Sequence, residues 1–281
     1  MIVMFYSKKV FNCKKGTVIY MAMKDSLGDR MKSYYENAYR MHLTRRTPVI
    51  IRIDGCHFHT FTRGMKKPYD MVLKKAMWNT AIYLCEHIQN ARLAYVQSDE
   101  ISILLIDYNK FTTSAWFDNN IQKMASVSAS MTTVAFNKYF IEESEDATHN
   151  PAYLTEDEFC HYRNKWNTAI FDSRVFNVPE SEVCNYFIWR QQDATRNSIE
   201  ALGRVHFSQK ELHEVNCKGI QDKLMRVKSV NWNDCPVFFK RGACVKRIKE
   251  EDDSGWVLDM KIPIFTQDRA YIEDNLEVKD K

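Results

Sequence analysis

The stretch Pro48–His59 constrains this chain more than any other. Val49-Ile50-Ile51-Arg52-Ile53 is a short, mostly β-branched run that stops at Asp54-Gly55. Such a run reads as a buried strand, and it delivers its last carboxylate to the carboxyl end, where sheet proteins place ligands. A second acidic pair, Asp99-Glu100, sits inside another strand-like run, Tyr95–Leu105. Between them, Val72, Ala76, Ile82 or Tyr83, and Ile88 keep helical spacing, which predicts an amphipathic helix over 71–91. Two strand-borne acidic points separated by a helix suggest a shared divalent-metal site acting on phosphates. Magnesium wants hard oxygen ligands, and a glycine after Asp54 lets the backbone come close to an ion or a phosphate. Neighbouring strand residues point to opposite faces, so Asp99 and Glu100 both reach Asp54 only if the chain turns there. Taken singly, a turn aspartate and an exposed acidic pair would be ordinary.

The remaining segments supply a mixed architecture. A charged, helix-compatible segment begins at Asp25, and a strand covers 94–106. A long helix covers about 119–140, where Ala125, Ser126, Ser128, Ala129 and Ser130 would allow close packing on a sheet. Thr155-x-x-Glu158 and Ser208-x-x-Glu211 are capping boxes that open helices. Residues 169–176 read as a strand, and Pro179 introduces a helix to about Phe207. Lys240-Arg241-Gly242, between Val237–Phe239 and Ala243–Val245, has the look of a hairpin. With no repeat and no Gly/Ser- or Pro-rich linker, one main domain is expected over 23–249. Residues 1–22 form an extension and 250–281 a tail.

Bulk charge says little about partners. The net charge of +4 equals the contribution of Lys8, Lys9, Lys14 and Lys15 near the start, so the remainder is neutral and only local patches can bind nucleic acid. The eight cysteines contain no Cys-x-x-Cys pair, which favours reduced thiols, a cytoplasmic location and no zinc site. No apolar run approaches the roughly 20 residues of a membrane span, so no membrane partner is expected.

Further groups carry binding chemistry. After Asp54 come His57, His59, Lys66, Lys67 and Asp70, and lysines behind a metal-carboxylate strand suit a triphosphate. Phe58, between the two histidines, is more often core than a stacking platform. Arg190, Asp193 and Asn197 lie at i, i+3 and i+7, on one helix face able to meet a nucleotide or an RNA backbone. Lys240, Arg241, Lys246, Arg247 and Lys249 form a basic patch that could hold phosphates, with a plain surface hairpin as the alternative.

In order and spacing these segments resemble the tRNA(His) guanylyltransferase family. The first motif is Arg52-Ile53-Asp54-Gly55-x-x-Phe58-His59-x-Phe61 with Lys67-Pro68-x-Asp70, and the second is Gln97-Ser98-Asp99-Glu100-x-Ser102. The third is Phe171-Asp172-x-Arg174-Val175, and the fourth Tyr186-x-x-Trp189-Arg190-Gln191-x-Asp193-x-x-x-Asn197. The resemblance implies an α/β (α+β) palm-like fold shared with polymerases and nucleotide cyclases: an antiparallel-containing sheet with flanking helices, assembled as a homotetramer. It implies ATP-dependent activation of a tRNA 5′-monophosphate and 3′→5′ addition of nucleotides, with GTP and other NTPs as substrates. Asp54, Asp99 and the Gly55 carbonyl would hold two Mg2+ ions, and Glu100 would be a third, supporting catalytic carboxylate. Asp54, Gly55, Cys56, His57, Phe58, His59, Lys67, Asp70, Ser98 and Asp99 would contact a nucleotide. His59, Lys67, Asp70 and Lys123, with Arg190, Asp193 and Asn197, would position triphosphate and tRNA.

One departure bears on substrate. Eukaryotic members continue the fourth motif, after the aspartate, with Cys-His-Ile-Asn-Asn, whereas this chain has Ala194-Thr195-Arg196-Asn197-Ser198. That pattern is more similar to the bacterial, archaeal and viral guanylyltransferase-like branch, which repairs 5′-truncated tRNAs by templated addition. A nucleotide cyclase on the same palm is the competing enzyme reading, although no Gly-Gly-Asp/Glu-Glu-Phe hairpin is present. A tRNA-binding protein without catalysis is the non-enzyme reading.

Overall fold

Along the strand Val49–Gly55 (β1), side chains alternate between two cores, and that alternation organises the molecule. The computed structural model describes residues 26–150, 153–247 and 255–276. Two units are distinguished, Met1–Arg40 and Met41–Lys281. In the first, Ser26 caps a short helix Leu27–Met31 (α1), whose pitch loosens to a π turn over Lys32–Glu36 and tightens to a 3-10 turn over Asn37–Tyr39. The division at residue 40 differs from the single domain expected from residue 23, and the extension 1–22 lies outside the described residues.

The second unit holds a six-stranded antiparallel sheet. Its strands are β1, Ala91–Gln97 (β2), Glu100–Leu105 (β3), Phe171–Asn177 (β4), Ala243–Arg247 (β5) and Trp256–Asp259 (β6), in the order β4-β1-β3-β2-β5-β6. The helices are Phe58–Phe61 (α2), Met71–His87 (α3), Ile121–Thr148 (α4), Glu156–Arg163 (α5), Glu180–His206 (α6), Gln209–Leu212 (α7), Cys217–Lys228 (α8), Val237–Arg241 (α9) and Ala270–Glu273 (α10). In β1-α3-β2, the strand β3 lies between the two strands joined; in β3-α4-β4, β1 does so. Two interlocked split βαβ units of this kind make a ferredoxin-like core, the palm-like arrangement expected.

Ile51, Ile53, Ile101 and Ile103 face α3 and α4, packing with Ala76, Phe136 and Phe140. Ile50, Tyr95 and Leu104 face the other way, against Val183 and Phe187 of α6 and the C-terminal Ile262, Phe265 and Ile272. Each fully buried side chain of this size contributes about 1.5–3 kcal/mol, and period-two placement commits β1 to one register. A smaller cluster, with Ile199, Leu202, Ile220, Leu224 and Phe239, joins α6 to α8 and α9.

Four expectations are revised. The acidic strand over 94–106 is two strands with a tight turn at Ser98-Asp99, where Ser98 adopts φ +48°. Both strands are buried on both faces, so no polar alternation marked the break. The hairpin at 237–245 is instead α9 followed by β5: Pro236 precedes the helix and Gly242, at φ +86°, ends it. No side chain fits at Gly242, since a Cβ would stand 2.6 Å from the Val96 carbonyl oxygen. The segment 250–281 is no separate tail, because β6 completes the sheet and Ile262, Phe265, Ile272 and Leu276 are buried. Of the five small residues expected to pack at 125–130 on α4, Ser128 alone is fully buried, and its hydroxyl meets that of Ser173 at 2.7 Å.

Both capping boxes form, at Thr155 and Ser208. The described cysteines are free, and Cys13 lies outside the described residues. No described helix is long and apolar enough to cross a membrane.

Candidate active site

The turn at Ser98-Asp99 brings the second carboxylate to the end of β1. Asp54 is the register partner of Glu100 on one side and of Asp172 on the other. The Gly55 amide donates to the Asp99 carbonyl at 3.2 Å, which ties the end of β1 to the turn. Gly55 is obligatory there: a Cβ would fall 2.2 Å from the Phe58 ring. Burial first, then the charges of Asp99 and Glu100, hold the Asp54 carboxyl above its ordinary range, against a lowering pull from Arg52. Burial likewise raises Asp99, while a hydrogen bond from Ser98 and the charge of Lys74 oppose it. Both carboxyls are thus held above their ordinary range chiefly because they are buried.

Glu100 takes a different part. Its carboxylate accepts from Arg190 Nε at 2.7 Å and Nη2 at 2.8 Å, and from Arg52 Nε at 2.9 Å. Arg190 also donates to Asp193 at 2.9 Å, and Arg196 pairs with Asp193 as well. Glu100 and Arg190 are both about 4% exposed, so this is a buried ion network rather than open ligands. Arg190, expected to meet RNA or triphosphate, is consumed by Glu100. Asp193 is consumed by the two arginines, and only Asn197 of that trio is exposed.

The loop after Asp54 divides similarly. His57 and His59 are exposed, with ring centroids 6.3 Å apart. The Phe58 ring is buried against Phe61, Phe136 and Phe171, so it is no stacking platform. The Cys56 thiol donates to Asp172 at 3.8 Å, and burial together with that carboxylate pushes it up. Asp70 is buried at the N-terminus of α3 and accepts from Leu73 N at 3.0 Å, Lys66 N at 3.2 Å and the Tyr162 hydroxyl. Its oxygens are satisfied by the protein, so it is a structural cap, not a nucleotide ligand. Asp70→Ala is expected to cost about 2 kcal/mol, combining a lost cap with buried donors left unpaired. Urea unfolding at unchanged slope would measure it, with exposed Lys67→Ala close to wild type as the comparison.

Lys123 is not brought in. It stands on the first turn of α4, 6.0 Å from the Phe117 ring, beside the His42–Asn120 bridge. That is the end where β1 begins, opposite Asp54. The basic patch is partly engaged: Lys240 donates to the Asn233 carbonyl, Lys246 pairs with Asp259 at 3.1 Å, and exposed Arg247 lies 5.2 Å from the Trp256 ring. Lys249 lies outside the described residues.

Beside Ser98 opens a cavity of about 190 Å³, lined by Lys66, Lys67, Asp70, Lys74, Gln97, Ser98, Asn197 and Phe238. Three lysines and one already bonded carboxylate line it; Lys66 lies 3.9 Å from Glu158 while Lys67 is exposed, so the balance at the cavity favours anions. Lys74 was missed from the sequence. Burial pulls its ammonium down to about 8, and the Asp99 charge works the other way. Its signal was spacing: it begins the second turn of the helix that Asp70 caps, with its amide on the Asp70 carbonyl at 3.0 Å.

The described residues contain no group of three or more His, Cys, Asp or Glu able to hold a metal ion by themselves. The oxygens that the turn gathers at the end of β1 are the carboxylates of Asp54 and Asp99 and the backbone carbonyls beside them. Comparison with known proteins places this arrangement. The model of the family described as Thg1, tRNAHis guanylyltransferase, matches residues 28–179, more than half of the chain. A bacterial tRNA(His) guanylyltransferase (Thg1)-like protein in complex with ATP superposes with a TM-score of 0.78 at 50% identity, covering 89% of this chain and 99% of that one. Its counterpart in complex with GTP gives 0.72 at 45% identity, over 90% and 99%. The uncharacterized protein R259 of Acanthamoeba polyphaga mimivirus is 27% identical over 91% of this chain and 89% of its own length.

Proposed function

This chain belongs to the tRNAHis guanylyltransferase family, and on that premise we propose that it adds nucleotides to the 5′ end of tRNA in the 3′→5′ direction. The observation that carries the proposal is the junction of β1 with the Ser98-Asp99 turn, where two carboxylates raised by burial stand next to Ser98, which lines a cavity with Lys66, Lys67 and Lys74. The alikeness to guanylyltransferase-like proteins in complex with ATP and with GTP supports nucleotides as occupants.

The residues fit magnesium: Asp54 and Asp99 are hard donors, both pushed toward protonation by burial and negative neighbours, which a divalent cation would reverse. Asp54, Asp99 and the Gly55 carbonyl would hold two ions. Bound there, Mg2+ neutralises phosphate oxygens and polarises an attacking hydroxyl. Lys66, Lys67, Lys74 and Ser98 orient a triphosphate in the cavity. Arg52 and Arg190 fix Glu100, which keeps β1 and β3 in register at the site.

In the activation step, an oxygen of the RNA 5′-monophosphate attacks the α-phosphorus of ATP and pyrophosphate leaves. The 3′-hydroxyl of the incoming nucleotide then attacks the activated 5′ phosphorus, loses its proton, and AMP leaves. A triphosphorylated end needs no activation. Thr195 supports templated repair over strict tRNA(His) guanylylation: its hydroxyl bonds the Gln191 carbonyl at 2.9 Å inside α6, leaving no imidazole where eukaryotic relatives carry histidine.

The test uses 5′-monophosphorylated tRNA lacking its first nucleotide, with ATP, all four NTPs and Mg2+. Extension by the base complementary to the opposite strand is expected, and faster than addition to full-length tRNA(His). Absence of extension overturns the reading, and a cyclic nucleotide formed from GTP alone would replace it with a cyclase.

A further inference from the structure

Trp189 is half exposed, at 51%, although its neighbours on the same helix, Tyr186, Phe187 and Arg190, are buried. Its ring lies 4.3 Å from the Arg190 guanidinium and 5.8 Å from that of Arg52. Both guanidiniums converge on the one Glu100 carboxylate, so both approach the indole from the sheet side. Tyr186 contacts it in edge-on geometry at 5.9 Å and is itself fixed through a 2.7 Å bond to Ser102. The indole is thus braced by two guanidiniums and a phenol ring while half of its surface stays exposed.

Its position relative to the candidate active site is defined by the sheet. Arg52 and Asp54 are two residues apart on β1, on the same face, about 7 Å along the strand. Opposite them on β4 are Arg174 and Asp172, and Arg174 is exposed. An aromatic plane, two arginines and an acidic centre thus share one open face. Arg52 is held by Glu100 and Arg174 pairs with Asp172 at 3.2 Å, so the arginines shape the face while the exposed indole offers the stacking plane, which binds single-stranded bases tolerant of sequence.

We propose that Trp189 is the platform on which the 5′-terminal base of the acceptor RNA stacks, which sets its 5′ phosphate beside Asp54. This rests on the 5′-end addition proposed above and assigns the seat of the RNA end, outside the lysine-lined cavity. A stack there is indifferent to base identity, so it holds the end of any tRNA being extended and leaves selection to the template strand. Trp189 is a positioning residue.

The experiment measures equilibrium binding of 5′-truncated, 5′-monophosphorylated tRNA without nucleotides, using wild type, Trp189→Ala and Trp189→Phe, and an RNA whose 5′-terminal residue is abasic. Trp189→Ala is expected to weaken binding of intact RNA about tenfold, and Trp189→Phe less than threefold. The abasic RNA should bind wild type about tenfold more weakly, with no further loss in Trp189→Ala. ATP binding should be unchanged in both variants. Equal binding of intact RNA by Trp189→Ala and wild type, additive losses with abasic RNA, or a parallel loss of ATP binding would each overturn the assignment. If the stacking pattern appears but no RNA is extended, the 5′-addition reading fails and the platform stands; if extension proceeds with Trp189 silent, the platform alone fails.

Discussion

Asp54→Asn is expected to lower the proposed 5′-nucleotide addition by about a thousandfold or more and, in metal-free buffer, to raise the melting temperature. The first effect follows from removing the donor shared by both proposed ions, whose charge stabilisation is worth several kcal/mol, each 1.36 kcal/mol being tenfold in rate. The second follows from the sign of the carboxyl shifts. Asp54 and Asp99 both sit above their ordinary range through burial and negative neighbours. A carboxyl that binds its proton more tightly when folded adds stability at low pH and forfeits it as pH rises through its folded-state value. At neutral pH the metal-free wild type therefore carries a penalty that the neutral amide lacks, with a melting shift of about 2–4 °C per kcal/mol relieved. The gap between variant and wild type should close as the buffer is acidified. It should close again at neutral pH when Mg2+ is added, because the cation stabilises only the wild type. Asp99→Asn should follow the same pattern. Scanning calorimetry with and without Mg2+ measures both, and a variant less stable than wild type in metal-free neutral buffer would contradict the electrostatic account.

Glu100→Ala has the opposite signature, a large loss of stability. It leaves the Arg52 and Arg190 guanidiniums in the sheet–helix interface without their carboxylate. Removing one partner of a buried pair costs about 3–5 kcal/mol, or roughly 10 °C in melting temperature. Added Mg2+ should restore none of it. Glu100→Gln, which keeps hydrogen-bonding shape and loses charge, should fall between. If Glu100→Ala melts like wild type and only its Mg2+ response disappears, Glu100 is a metal donor and the network is incidental.

The contrast shows which parts of the site could be read from residues alone. Asp54 was legible as a strand end because the β-branched run stops at Asp-Gly, and β1 lies where that run lies. Asp99 was legible as a partner but not as a turn residue: Ser98-Asp99 interrupts a run buried on both faces, where periodicity carries no signal. Glu100, Arg190 and Asp70 look alike in sequence to ligands, since charged residues near a site serve either a substrate or one another. Only burial and partners tell them apart, as with the three protein donors on Asp70. Lys123 was carried by motif resemblance, and its place at the far end of the sheet depends on the direction in which α4 crosses. The C-terminal strand β6 was hidden because four residues of Trp256–Asp259 are too short to show alternation.

The turn at Ser98-Asp99 also dictates when the candidate site comes into being. β2 and β3 are sequence neighbours, so their hairpin closes locally, on the microsecond scale of such events. β1 joins β3 only by closing a long loop that includes α3, and β4 joins β1 only after α4 and α5 have been threaded past, contacts of high sequence separation that form slowly. Asp99 is thus presented early and waits for Asp54. A divalent ion held as proposed would gain its second carboxylate only at the step that docks β1, and stopped-flow metal capture would then time the assembly of the palm.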